Sequence, residues 1–140
     1  MTYPRAALVW LVMLAGAIAN GILREAAITP RLGGLRAHQV SCFTAIALFA
    51  AIVWTAARLA PFASSGQAWK VGALWTVSTV MFEFGFGRFA RGLDWTRLLE
   101  DYAVWRGRLW PLVLAALWVL PPLVHGLHGR WLRGRGSVRI

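Results

Sequence analysis

The chain has 140 residues, of which 59% are hydrophobic and 14% charged, against roughly a quarter charged in an ordinary soluble domain. That balance excludes a typical water-soluble fold and points to an all-α polytopic membrane protein. The formal net charge of +10 would suggest nucleic acid in a soluble protein, but the arginines fall at the ends of apolar runs, where membrane proteins carry them, so no nucleic-acid partner is expected.

Four apolar runs approach the roughly 20 residues needed to cross a bilayer: residues 6–23, 40–60, 68–86 and 109–124. They predict one transmembrane domain over residues 1–129, four helices in two hairpins. In the first run, Ala17-Ile18-Ala19 fits a signal-peptidase pattern, but three further spans follow and an uncleaved first span is expected. Ala15, Gly16, Ala17 and Ala19 permit close helix approach. At its exit, Asn20 and Arg24 are four apart and share a helix face.

Thr29-Pro30 and Gly33-Gly34 are turn signals, so a connection is expected over residues 26–39. Ser41 and Thr44 open the second span with hydroxyls that could bond a neighbouring helix. Cys42, the single cysteine, excludes an intrachain disulfide or a CxxC motif and reads as a small buried side chain. Arg58 and Pro61 mark the end of this span, and Ser64-Ser65-Gly66 makes a short turn.

Trp69 and Lys70 anchor the third span in the interface, and Thr76, Thr79 and Glu83 form a polar stripe along it. From Asp94, a plausible N-cap, Trp95, Leu98, Leu99, Tyr102 and Trp105 recur with helical periodicity opposite Arg97, Glu100 and Asp101. An amphipathic interfacial helix is therefore predicted over residues 94–106. Gly107 and Pro111 are candidates for the bend into the fourth span, which Pro121-Pro122 is expected to end. Residues 130–140 are glycine-rich and basic, predicting a disordered tail on anionic lipid headgroups.

Glu83 is the residue that most needs explaining, because it stands among phenylalanines roughly 7 to 8 Å inside the end of the third run, taking 1.5 Å per residue. A carboxylate at that depth faces a partner or a water-filled cavity rather than lipid. Alternation of the spans brings the exits of the first and third to one side, which predicts a polar cluster of Asn20, Arg24, Glu83 and Arg88, with Arg24 or Arg88 pairing to Glu83. Such a cluster reads either as a register-setting contact or as a proton-carrying or substrate-binding site. Asp101, Arg106 and Arg108 are candidate contacts for a lipid headgroup.

His38 begins the second span while His125 and His128 follow the fourth, so the three do not share a metal. No nucleophile motif, phosphate-binding glycine loop or HExxH occurs. No catalytic residue, metal or cofactor is therefore assigned.

The segments Asn20-Gly21-Ile22-Leu23-Arg24-Glu25, Phe82-Glu83-Phe84-Gly85-Phe86-Gly87-Arg88, Leu98-Leu99-Glu100-Asp101-Tyr102 and Gly107-Arg108-Leu109-Trp110 resemble a group of small bacterial four-span membrane proteins with no assigned function. The resemblance implies a bacterial cytoplasmic (inner) membrane and transfers no active residues. Small multidrug transporters differ in placing their essential glutamate in the first span, and fluoride channels in their glycine-rich first-span signature.

Basic residues are nearly balanced across the two sides, with a lean towards both termini in the cytoplasm because the charges of the tail are unopposed. Near parity also permits antiparallel dimers. The expectation is a non-enzymatic structural or accessory membrane subunit, within a homodimer or larger complex. The alternative is a dimeric proton- or ion-coupled transporter or channel built around Glu83; a membrane-embedded enzyme would need a catalytic pair that is not evident.

Overall fold

The computed structural model describes residues 1–136, with side chains through Arg130. Helix α1 (Tyr3–Leu32) is followed by α2 (Gly34–Leu59), α3 (Ser65–Gly85), a short α4 (Trp95–Glu100) and α5 (Trp110–Gly136). No strand occurs among the described residues. Three helices are long and apolar enough to cross a membrane: α1, α2 and the Trp110–Arg130 part of α5. Helix α3 has 21 residues but carries Gln67, Lys70 and Glu83, which lower its hydropathy.

The four long helices pack in a ring in which α1 touches α2 and α3, and α5 touches the same two from the other side. Each contributes an apolar stripe at three- and four-residue spacing, the face that a 3.6-residue repeat aligns. Cys42, Ala45, Phe49, Val53 and Ala57 supply it from α2, Ala68, Val71 and Trp75 from α3, and Val113, Leu117, Leu120 and Val124 from α5. Helix α1 contributes least, burying only Ala6 and Met13 along Tyr3–Leu23. Its polar ties compensate: the Trp75 indole donates to the Ala6 carbonyl at 2.8 Å, and that of Trp10 donates to the Thr79 hydroxyl at 3.1 Å.

Small residues set how closely these helices approach. A Cβ on Gly72 of α3 would overlap the Trp118 carbonyl oxygen of α5. That carbonyl belongs four residues before Pro122, which has no N–H to give it. The freed oxygen instead faces the glycine Cα, where a weak C–H···O contact is available.

Pro121 and Pro122 therefore do not end α5, contrary to the sequence expectation; they lie inside a helix that runs on to Gly136. Pro121 is fully buried, so packing offsets the lost helical hydrogen bonds. The backbone expected to be irregular from residue 130 is thus helical to Gly136, and residues 137–140 lie outside the described residues.

Two other boundaries differ. The connection expected over residues 26–39 shrinks to Gly33, at φ 78°. A π turn over Arg24–Ile28, with the Thr29 N–H bonded to the Arg24 carbonyl, widens α1 just before Pro30 and lets the helix pass it. The interfacial helix expected over 94–106 is broken into α4 and a 3₁₀ turn at Val104–Arg106. Asp94 sits at the N-cap position without a side-chain capping bond. The break turns Tyr102 towards α3.

Candidate functional site

One end of the ring gathers most of the polar chemistry: the exits of α1 and α3, the entry of α2, and the segment from α4 to the start of α5. Glu83 stands near the end of α3, just before a π turn over Phe86–Ala90. Its carboxylate oxygen Oε2 accepts the Tyr102 hydroxyl at 2.7 Å and the Trp110 indole N–H at 2.8 Å. Tyr102 is further held by Phe84, whose ring centroid is 5.6 Å away. Burial, then the bond to Glu83, raises the Tyr102 phenol above its ordinary value, because removing its proton would put a second negative charge beside the carboxylate.

This arrangement corrects the predicted cluster. Glu83 forms no ion pair among the described residues; neutral donors satisfy it without bringing in another charge to desolvate. Arg24 Nε bonds Glu25 Oε1 at 2.9 Å. Arg88, carried round by the π turn, reaches the Leu93 carbonyl at 3.4 Å and lies over Trp95, 6.0 Å from its centroid. Asn20 turns to α2, where Nδ2 donates to the Ser41 carbonyl at 2.8 Å and hydroxyl at 2.9 Å, and Oδ1 accepts the Thr44 hydroxyl at 2.8 Å. That contact fixes α1 against α2, rather than α1 against α3.

The predicted headgroup contacts are also rearranged. The Arg108 guanidinium bridges Glu100 at 3.3 Å and Asp101 at 3.2 Å, and Arg97 pairs with Glu100 from the other side. The Arg97 hydrogen bond, with the charges of Arg97 and Arg108, holds the Glu100 carboxyl below its usual range. Arg106 and Trp105 are exposed beside this network.

Beneath it lies His38, only 3% exposed. Its Nδ1 is 3.8 Å from Asp101 Oδ1. On the other edge of the ring, Nε2 accepts the Leu109 N–H at 3.3 Å and lies 3.5 Å from Cys42 Sγ. Gln39 adds a bond to the Gly107 carbonyl at 3.0 Å, and Gly107, at φ 79°, turns the chain into α5.

A cavity of about 60 Å³ opens between α1, α2 and Trp110, lined by Ala17, Asn20, Gly21, Arg24, Ser41, Cys42, Ala45 and Trp110. It has room for a water or two. Trp110 thus stands between Glu83 and this cavity.

Among the described residues no group of three or more His, Cys, Asp and Glu side chains is placed to hold a metal ion. His125 and His128 stand apart from this end of the ring; His128 packs on Trp54, with ring centroids 4.6 Å apart. Sequence reasoning missed Tyr102 and Trp110 as donors to Glu83, and missed the His38–Asp101 contact. The available signals were two amphipathic aromatics following an acid set among apolar residues, and a histidine four residues before a cysteine on one helix face. No protein-family model, curated protein or solved structure matches this chain.

Proposed function

We propose that this chain is a four-span integral protein of a bacterial cytoplasmic membrane, acting as a non-enzymatic structural or accessory subunit. The 21 residues of α3 give about 31 Å at 1.5 Å per residue, enough for the hydrocarbon core, which supports counting it as the remaining span. Exposed Trp95, Leu99 and Trp105 suit the segment between α3 and α5 to the interface. Both termini are assigned to the cytoplasm on the unopposed arginines of the tail.

The observation that carries the structural reading is the closure of Glu83 by Tyr102 and Trp110 from the same chain. Asn20, Trp10, Trp75 and Thr79 are likewise tied to neighbouring helices, as expected of contacts that set register in a membrane bundle. Anionic lipid around the arginines, and a second copy or a larger complex against the exposed face of α1, complete the proposed setting.

A second reading, a dimeric proton- or ion-coupled transporter, draws on one detail: both bonds to Glu83 fall on Oε2, leaving Oε1 free of either. The test compares Glu83→Gln with Glu83→Ala for folded level, cellular phenotype and flux in proteoliposomes. The structural reading expects Gln, which keeps an acceptor oxygen, to preserve level and phenotype while Ala loses both. Loss of a measured flux in a well-folded Gln variant would replace it with transport.

A further inference from the structure

We propose that the groove between the start of α1 and the end of α2 holds one acyl chain of an anionic phospholipid, whose phosphate is met by Arg5 and Arg58. The inference rests on the membrane reading above and adds a ligand to it.

The groove begins where the two helices part. Towards the polar end they are tied by Asn20 to Ser41 and Thr44, and a Cβ on Gly16 would come within 2.8 Å of Leu48. On the other side of that contact they leave a groove of about 430 Å³, with Leu8, Val9 and Val12 of α1 facing Ala51, Thr55 and Leu59 of α2. Ligand sites usually measure about 300–1,000 Å³.

Its dimensions select the occupant. Ala51 to Leu59 rises about 12 Å at 1.5 Å per residue, against roughly 15 Å for half of the hydrocarbon core. The groove therefore serves one leaflet. Spread over that length, 430 Å³ is a mean cross-section of about 36 Å², less than half that of a helix about 10 Å across. A partner helix cannot be seated in it, whereas a single acyl chain can lie along it.

Charge selects the headgroup. The antiparallel pairing of Asn20 with Thr44 and Gly16 with Leu48, carried onward, sets Leu8 level with Ala56 and Arg5 level with Leu59. Arg5 and Arg58 thus flank the interfacial mouth, Arg5 one turn from Leu8 and Val9, Arg58 one turn from Thr55. Both arginines are exposed. Lys70 and Arg130 stand at the same end, while the five acidic side chains, Glu25, Glu83, Asp94, Glu100 and Asp101, all lie towards the other. A phosphate arriving here meets no competing carboxylate. Arginine suits it, with a stem that can lie along apolar surface and a planar fork that matches phosphate oxygens.

The full chain, purified in a mild non-ionic detergent, is titrated with palmitoyl-oleoyl phosphatidylglycerol or with phosphatidylcholine of the same chains and followed by native mass spectrometry. One phosphatidylglycerol per chain is expected to be retained in preference. Arg5→Gln and Arg58→Gln should each weaken that binding about 5-fold, the scale of one basic residue beside anionic lipid. Arg91→Gln, the same charge change at the opposite end, should leave it unaltered. Ala51→Phe, at an exposed position, fills the groove and keeps both arginines, and should abolish retention. Glycerophosphoglycerol, the headgroup without chains, should not compete.

Melting of each variant is measured in parallel, and if Ala51→Phe melts early the comparison of Arg5 and Arg58 with Arg91 decides alone. Equal retention of the two lipids, an equal loss in Arg91→Gln, or unchanged binding in a folded Ala51→Phe chain overturns the proposal. So does a lipid-free dimer that Ala51→Phe dissociates, which would give the groove to a second copy. Alkaline carbonate extraction tests the membrane reading separately: a chain retained in the bilayer without lipid preference fails only the proposal, and a chain released in soluble form fails both.

Discussion

Gly72 meets the Trp118 carbonyl at the point where Pro122 has deprived that carbonyl of its helical donor. Each residue explains the other: the proline frees an oxygen on the face of α5 turned to α3, and the glycine leaves room for it. Gly72→Ala should therefore cost at least about 1–3 kcal/mol, the usual scale of overpacking, because the obstacle is backbone. Melting in detergent checks this, and a melting point unchanged from wild type would contradict the close approach.

The clasp on Glu83 gives a second prediction. Tyr102→Phe or Trp110→Phe alone leaves the carboxylate one donor, and each should cost about 1–3 kcal/mol. The double variant leaves it none, so its cost should exceed the sum. A double-mutant cycle on reversible unfolding measures the coupling, and strict additivity would mean that the two donors act independently.

Asn20 offers a third test, at the contact between α1 and α2. Asn20→Ala removes three hydrogen bonds at once, yet interhelical polar contacts in membranes average well under 1 kcal/mol each. A loss of about 1–2 kcal/mol is expected. Ser41→Ala should cost less, since the Ser41 carbonyl still accepts from Asn20.

Tyr102 supplies the pH dependence. Its phenol is raised in the folded protein, so the folded state holds the proton more tightly than the unfolded chain. The resulting stability is complete below about pH 10, the ordinary phenol value, and declines as the pH rises beyond it. Ultraviolet titration of wild type against Tyr102→Phe isolates the signal. Ionisation of Tyr102 at or below its ordinary value would contradict the buried bond to Glu83.

Much of the architecture was readable because it depends on period and length. The stripe Cys42, Ala45, Phe49, Val53 and Ala57 repeats at helical spacing, and the apolar stretches of α1, α2 and α5 are long enough to recognise by eye. The ends were harder. Pro30 and the Pro121–Pro122 pair look like terminators locally, but a π turn in one case and burial against the ring in the other allow the helix to continue, and neither is visible in local sequence.

The site was half legible. That Glu83 needs a partner follows from its apolar surroundings, but charge complementarity pointed to arginines, whereas two neutral aromatics from the following loop fill the role. Their approach depends on where α4 breaks, a tertiary matter. The same break brings Asp101 over His38, which no spacing rule anticipates.

The π turns at Arg24–Ile28 and Phe86–Ala90 each hold one residue more than an ordinary coil would need. Each is therefore a place where the chain can lose a residue and still close as a regular helix. The segment beyond would then swing by about 100°, one residue's worth of rotation. Deleting Ala26 or Gly87 should leave the long helices intact while re-aiming the groups at this end of the protein, which separates durability of the scaffold from orientation of its polar chemistry.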